Sequence, residues 1–510
     1  MCAEIDFSPD QAQLWPIAIH QFPGGRMLNT KPEFSLDPDD WAMQRALAHQ
    51  IVDDAVDHLA ALRDRAVWQP MPAAVRASYL GPVPDTPTPL ADVYAEMQAN
   101  LLRYPMGNIH PRFFGWYMGG SNFTGALGDF IAAIEGSNLG GGDTAAAATD
   151  RQVVGWLRGM MGFPDTASGT LTSGGSMANM VALTVARNEM AGVDVRAEGV
   201  TNLPQPLRFY ASDQVHSAHQ KSLEGLGLGA RSLRIVPTDA ALRMDVAALA
   251  AMIAQDRAAG LRPACVIATA GTTNTGAIDD LRKIGALCAR EGLWFHVDGC
   301  IGALIRIAPD NAHLVDGIEA ADSVALDPHK WLQTPFECGC ALLRDAAAHR
   351  RAFTLHGDYL QTQTRGIAAG EFLADYGYEL SRGFKALKLW MSLKEQGTAK
   401  FGALIDQQIS LGHYLVRAIG AEPELELIAP ALINIVCFRY RGKGGDEAAV
   451  KALNIEIMLR IQESGLAVLT DSTVHGKHCL RAAIVNHRTR RGDLDMVITE
   501  VLRLGRALQG

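Results

Sequence analysis

The sequence predicts an α/β fold with a mostly parallel sheet, followed by a smaller α+β domain and preceded by a helical segment. Three patterns lead there. From about residue 150 to 345, short apolar runs alternate with helix-length patterns: Leu207 to Ala211, Cys265 to Ala270, Leu293 to Val297, Val324 to Leu326 and Gly339 to Leu343. Such alternation implies strands joined by helices that cover the sheet. From about 396 onward, long helical patterns accompany only two strand-like runs, Leu432 to Tyr440 and His478 to Val485. Up to about residue 110 the chain reads as mainly helical. The predicted organisation is therefore a helical segment over 1–110, a large domain over 111–395 and a small domain over 396–510.

The elements follow in order. Between Trp41 and Arg65, Ala48, Ile51, Val52, Ala55, Leu59 and Leu62 recur at helical spacing. A proline-rich connector, 82–89, separates this from a second helical stretch beginning near Leu90. This region is too small for a good core of its own and is expected to pack on another surface, such as a partner subunit. Glycines then punctuate His110-Pro111-Arg112-Phe113-Phe114-Gly115-Trp116-Tyr117 and Gly140-Gly141-Gly142-Asp143. They suit either a tight crossing of elements or a pocket wall. There is no internal repeat and no low-complexity tract.

Composition narrows the function classes. A chain of 510 residues, 48% hydrophobic and 20% charged, is a globular protein with room for two or three domains. Its net charge of −9 argues against a nucleic-acid scaffold or a basic membrane patch. The opening Met1-Cys2-Ala3-Glu4-Ile5-Asp6 has no basic or apolar region of a signal peptide. No apolar run approaches the roughly 18 residues of a membrane helix. The eight cysteines are scattered. Cys338 and Cys340 form a C-x-C with no second pair to complete a zinc site, so no metal is expected. They read as reduced packing thiols of a cytoplasmic protein.

The chemistry gathers around Asp327-Pro328-His329-Lys330-Trp331. Lys330 directly follows a histidine, just after the buried-looking run Ser323 to Leu326, and a lysine is rarely buried unless paired or chemically used. Asp298 closes the strand-like run that begins at Leu293. Ligands of such sheets sit at the carboxyl ends of strands. A carboxylate and a lysine at two neighbouring strand ends suit pyridoxal 5′-phosphate (PLP). Lys330 would hold its aldehyde as a Schiff base, and Asp298 would keep the ring nitrogen protonated so that the ring accepts a carbanion's electrons. Thr172-Ser173-Gly174-Gly175-Ser176 opens a helix through Met180, Val181, Leu183 and Val185. Its free N–H groups, hydroxyl and dipole make an anion site. Ordinary N-capping by serine is the competing reading, and the presence of Lys330 and Asp298 favours phosphate. His216 follows another strand and is either a structural histidine or one that stacks on the ring or moves a proton.

Taken together, these motifs resemble the group II PLP-dependent amino-acid decarboxylases, the family of aromatic-L-amino-acid and glutamate decarboxylases. The likeness rests on Thr-Ser-Gly-Gly-Ser at 172–176, Ser-Asp-Gln-Val-His-Ser at 212–217 and Ala-Gly-Thr-Thr at 270–273. It continues through His-Val-Asp at 296–298, Pro-His-Lys-Trp at 328–331 and Ile-Val-Asn-His-Arg-Thr at 484–489. The resemblance implies PLP fold type I, with a seven-stranded sheet and a homodimer whose two subunits form each active site. It implies Lys330 as the Schiff-base lysine, Asp298 as the pyridinium partner and His216 stacked on the ring. Gly175, Ser176 and His329 would lie at the phosphate, and Thr273 near the ring. The implied reaction turns an L-amino acid, aromatic in many members, into its amine and CO2. In related decarboxylases a tyrosine at the place of Tyr359 sits on a mobile loop and protonates the carbanion, whereas aldehyde-forming relatives lack it. A loop-anchoring tyrosine is the plain alternative. Other fold-type-I enzymes, such as aminotransferases, carbon–carbon lyases and amine-oxidising aldehyde synthases, share Lys330 and Asp298.

The chain departs from the family pattern at several places. Gly299-Cys300 stands where two alanines are common, and Gly383 where aromatic-type members often carry an arginine. Asp327 replaces a frequent asparagine, which adds negative charge near the phosphate. The glycines at 140–142 fall where aromatic-type enzymes carry bulkier residues on the substrate side.

Overall fold

The computed structural model describes residues 35–355, 363–443 and 446–509. The chain divides into two compact units, Met1–Ala60 and Ala61–Gly510. The first contributes helix α1 (Trp41–Ala60), none of whose side chains is buried. The second begins with α2 (Ala73–Ser78), α3 (Leu90–Asn100), α4 (Phe123–Glu135) and α5 (Ala145–Met160). The sheet region follows: β1 (Ser168–Thr172), α6 (Gly175–Met190), α7 (Val195–Glu198), β2 (Leu207–Ser212), α8 (Ala218–Gly225), β3 (Leu233–Val236), α9 (Val246–Ala258), β4 (Arg262–Thr269), α10 (Leu281–Glu291), β5 (Trp294–Asp298), β6 (Ser323–Leu326), α11 (Pro328–Trp331), β7 (Gly339–Leu343) and α12 (Ala346–Phe353). The remainder is α13 (Lys385–Ala421), β8 (Leu425–Leu427), β9 (Ile435–Tyr440), α14 (Glu447–Glu463), β10 (Thr470–Val474), β11 (Lys477–Ala483) and α15 (Arg491–Gln509).

The large sheet has seven strands in the order β1-β7-β6-β5-β4-β2-β3. It is the mostly parallel sheet the sequence predicts. Only β7 runs against its neighbours, pairing antiparallel with both β1 and β6. The central strands are buried on both faces, which is why they read as near-continuous apolar runs. Side chains alternate between the faces with period two. Val297, Val266, Val324 and Leu326 join one core with Leu157 of α5, Ile253 of α9 and Leu287 of α10. Trp294, Ile267 and Ala325 join the other with Val181 and Leu183 of α6 and Leu223 of α8. This parity places Asp298, four residues after Trp294, on the face covered by α6 and α8.

A four-stranded antiparallel sheet, β10-β11-β9-β8, forms the small C-terminal layer. Its core joins Val436, Phe438 and Leu480 to Ile457 of α14 and Val497 of α15. Helix α13 breaks at Gly397, whose φ of 72° is left-handed and costs glycine little. The division between compact units lies at 60/61. The reason is packing: Val67 sits in one cluster with Phe113 and Val468.

Candidate active site

At the carboxyl ends of β5 and β6 and the start of α6, the chain encloses a cavity of about 500 Å³. Gly175, Ser176, His216, Thr273, Asp298, His329 and Lys330 all line it. Seven residues singled out from sequence, spread over more than 150 positions, thus meet in one place. Tyr359 lies outside the described residues.

Asp298 ends β5 and is almost fully buried. A buried carboxylate is costly unless its oxygens are satisfied. Here both are. Oδ2 accepts from His219 Nε2 at 2.8 Å, and Oδ1 from the Cys300 backbone N–H at 3.2 Å. Burial alone would raise the Asp298 pKa. The hydrogen bond and charge of His219 outweigh it and hold the carboxyl well below its usual range. Because a carboxylate only accepts, Nε2 of His219 carries the proton, and its Nδ1 is buried without a partner.

Behind this pair runs a chain of hydrogen bonds whose directions can be assigned. Trp294 Nε1 donates to Ser323 Oγ, leaving the Ser323 hydroxyl to donate to His296 Nδ1. Asn179 turns its NH2 toward Cys300 Sγ, so its oxygen accepts from His296 Nε2 at 2.7 Å. His296 is therefore neutral. Its pKa, lowered to about 3 by burial and by the charge of His219, agrees. The His219 and His296 ring centres are 6.1 Å apart.

Lys330 sits on the short helix α11 with its amine 2.9 Å from Asp327 Oδ2. Burial would lower its pKa. The Asp327 charge more than compensates and raises it, so the amine is held as an ammonium. Against this pair lies the glycine turn before α6. Gly174 occupies the N-cap, and no side chain caps the helix. The serine-capping reading of 172–176 therefore does not hold. A Cβ at Gly175 would collide with Cys300 Sγ and come within 2.8 Å of Asp327 Oδ2. His329 faces the same turn. Its Nδ1 accepts from the Cys338 N–H at 3.3 Å, which leaves Nε2 as the proton-bearing nitrogen when the ring is neutral. Burial lowers its pKa and favours that neutral form.

His216 lines the mouth of the cavity, with Nδ1 accepting from the Ala218 N–H at 3.2 Å. Partial burial lowers its pKa, an effect that Asp298 opposes and Lys330 adds to. Both readings of the glycine-punctuated region apply, to different parts of it. Trp116, Tyr117 and Met118 form a cavity wall. Just beyond, a Cβ at Gly119 would collide with the His329 carbonyl, so this strap lies directly on α11. Gly140, Gly141 and Gly142 are a tight crossing instead. Cβ atoms there would strike the Leu380 carbonyl, the Phe372 ring and the Ile367 carbonyl. Residues 484–489 bear on the site indirectly. Arg488 donates to Gly120 O at 2.6 Å, Thr489 to Pro111 O at 2.7 Å and Asn486 to His110 O at 3.1 Å, all of which pin the strap.

Sequence reasoning overlooked His219, Asn179 and Met118, whereas Trp116 and Tyr117 lie in the stretch it offered as a pocket wall. The available signal for His219 was its spacing. It stands three residues after His216, at the start of the helix that follows β2. Among the described residues, no group of His, Cys, Asp and Glu is arranged to hold a metal ion, and no helix is long and apolar enough to cross a membrane.

Comparison with known proteins accords with this geometry. The pyridoxal-dependent decarboxylase conserved domain matches residues 72–441. An aromatic-L-amino-acid decarboxylase of Bacillus atrophaeus is 32% identical over 466 residues, 90% of this chain and 95% of that one. A phenylacetaldehyde synthase of Arabidopsis thaliana is 29% identical, covering 88% and 93%. The crystal structure of Oryza sativa TDC with PLP and tryptamine superposes with a TM-score of 0.85 at 25% identity, over 93% of this chain and 100% of that one. The chain therefore belongs to the pyridoxal-dependent decarboxylase family. It has fold type I, its cofactor is PLP, and its reaction class is decarboxylation of an amino acid. The cavity fits that cofactor, with an uncapped helix start and His329 for a phosphate, a lysine for an aldehyde and an ionised, buried carboxylate for a ring nitrogen.

Proposed function

We propose that this cavity decarboxylates an aromatic L-amino acid, with Lys330 as the lysine that bonds the cofactor and Asp298 as the partner of its ring nitrogen. The observation that carries the reading is the pairing of Lys330 and Asp298 at neighbouring strand ends in one cavity, beside the glycine turn that opens α6. PLP supplies an electron sink for the carbanion left when CO2 departs. The chain's part is to hold that sink charged. Asp298, kept ionised by His219, stabilises a protonated ring nitrogen. Gly175, Ser176 and His329 offer N–H and O–H donors to a phosphate, while His216 and Thr273 flank the ring position. Tyr359, by the family resemblance, returns a proton to the substrate carbon.

An aromatic side chain is supported by the wall of Trp116, Tyr117, Met118 and Ile301. It is also what the Bacillus relative's name describes. A homodimer is supported by the apolar face of α4, where Phe130 is 57% and Ile134 75% exposed alongside Phe123 and Ile131. Helix α1, with no buried side chain, likewise needs a surface to pack on. We place the protein in the cytoplasm, since the seven described cysteines are all free thiols. The Arabidopsis relative raises a second outcome, an aldehyde in place of the amine.

The test is kcat/KM over a panel of L-amino acids with amine and aldehyde both quantified. Phenylalanine, tyrosine and tryptophan are expected to exceed alanine, glutamate and lysine by roughly 10²-fold or more, as apolar pocket discrimination of this size allows. Equal or reversed rates would refute the aromatic assignment, and aldehyde as the main product would refute the amine.

A further inference from the structure

We infer that Asp327 works as a proton-carrying wall of the phosphate end of the cavity: binding the cofactor brings one proton onto its carboxyl, which then donates to the phosphate. This rests on the proposed roles of Lys330 and of the glycine turn before α6.

Asp327 follows β6 and is only 3% exposed. Its two oxygens face the turn that opens α6. Cβ atoms built at Gly175 and Gly174 would lie 2.8 Å from Oδ2 and 3.9 Å from Oδ1. Oδ1 is buried and has no hydrogen-bond partner. Oδ2 depends on Lys330, at 2.9 Å. His329 Nε2, at 3.7 Å, is too distant for a hydrogen bond. The other titratable groups facing this spot do not help. Cys300 has its thiol pushed up, first by burial and then by the charges of Asp298 and Asp327, so it stays neutral. Asp298 and Glu337, further along the cavity, are acidic. The first turn of α6 brings no charged side chain, only Gly175, Ser176, Met177 and Ala178. Among the described residues, no arginine lines the cavity and Lys330 is its only lysine.

A phosphate here would therefore meet a carboxylate, and the carboxylate's one cation would be committed to the cofactor. Two anions so close in a desolvated site do not both stay fully ionised. A single proton taken from solvent resolves the conflict. It turns Asp327 from an acceptor into a donor, and its unpartnered oxygen into a group with a partner. No bond other than O–H forms or breaks.

The experiment is calorimetry of cofactor binding to the apoprotein in buffers of different ionisation enthalpy, which counts the protons taken up. Wild type and Asp327→Asn are each titrated with PLP and with pyridoxal, which lacks the phosphate. Wild type is expected to take up one proton more than Asp327→Asn with PLP and no more with pyridoxal. Equivalently, across neutral pH its PLP affinity should fall about tenfold per pH unit relative to the variant. Equal proton counts for the two proteins with PLP would overturn the inference, and so would a difference that persists with pyridoxal. Infrared difference spectra of wild type alone give a second readout that needs no variant to fold. A neutral-carboxyl C=O stretch should appear on loading with PLP, and its absence contradicts the proposal. Failure of wild type to bind PLP at all would instead refute the site reading beneath it.

Discussion

Asp298 and Asp327 end neighbouring strands of one sheet, open into the same cavity and are buried to nearly the same degree, but they are partnered in opposite ways. Asp298 has both oxygens satisfied by groups of its own, His219 and the Cys300 N–H. Asp327 shares Lys330 with whatever the lysine reacts with, and its other oxygen has no partner. The first arrangement maintains a charge whatever else enters the cavity. The second, with one cation and one unpartnered oxygen, is the one whose charge a neighbouring phosphate would oppose. A strand end that closes on an aspartate is therefore not one kind of site, and its function depends on what the covering helices bring to it.

The largest expected effect comes from removing the shared cation. Lys330→Met should abolish turnover, by on the order of 10³-fold or more, if Lys330 is the covalent anchor we propose. It should also destabilise the apoprotein by about 3 kcal/mol, because Asp327 is left as an uncompensated buried charge. Denaturant midpoints of Lys330→Met and of Lys330→Met with Asp327→Asn check the second point. The added substitution should recover most of the loss. On the other side of the comparison, His219→Leu strips Asp298 of its own partner. Outer partners that orient a functional group are typically worth roughly 10- to 100-fold, and kcat should fall within that range. The absorbance titration of the bound cofactor should shift with it. His219→Gln, which keeps an N–H donor, should restore most of both. A role limited to packing would leave the titration unmoved.

The smallest effect is read by acid, behind the Asp298 pair. His296 there has its pKa lowered to about 3 by burial. A histidine depressed in this way stabilises the fold fully above its unfolded pKa of about 6.5. That contribution is lost as pH falls toward the folded value, at up to about 1.4 kcal/mol per pH unit. His110 and His349, both lowered to about 4 by burial, act in the same direction. Asp279, raised to about 6 by burial, opposes them. The unfolding temperature of the apoprotein should thus drop between pH 6.5 and 4, and His296→Asn should flatten that drop.

Burial decided what the sequence could reveal. The strands legible in it, β2, β4, β5, β6 and β7, lie inside the large sheet, while β1 and β3, which drew no strand reading, are its two edges. Edge strands need not be apolar on both faces. Ser168-Gly169-Thr170 and Arg234 show as much. The small sheet repeats the pattern, with central β9 and β11 legible and the edges β8 and β10 not. In the site, Asp298 and Lys330 stood out because charged groups interrupt or directly follow apolar runs. His219 did not, because it lies in the polar stretch His219-Gln220-Lys221. Its burial follows only from the face on which β5 presents Asp298. Residues 484–489 were visible as a motif, but their grip on the strap over α11 is a contact across more than 360 positions that no local pattern encodes.

The central claim is that Lys330 and Asp298 together make this cavity a PLP-dependent amino-acid decarboxylase. It is tested most directly by incubating the PLP-loaded protein with a carboxyl-labelled aromatic L-amino acid and measuring labelled CO2 and amine in the same sample. The account predicts equal amounts of the two, and neither product from Lys330→Met. Ketoacid with the label retained, or no turnover of any amino acid by protein that binds PLP, would contradict it.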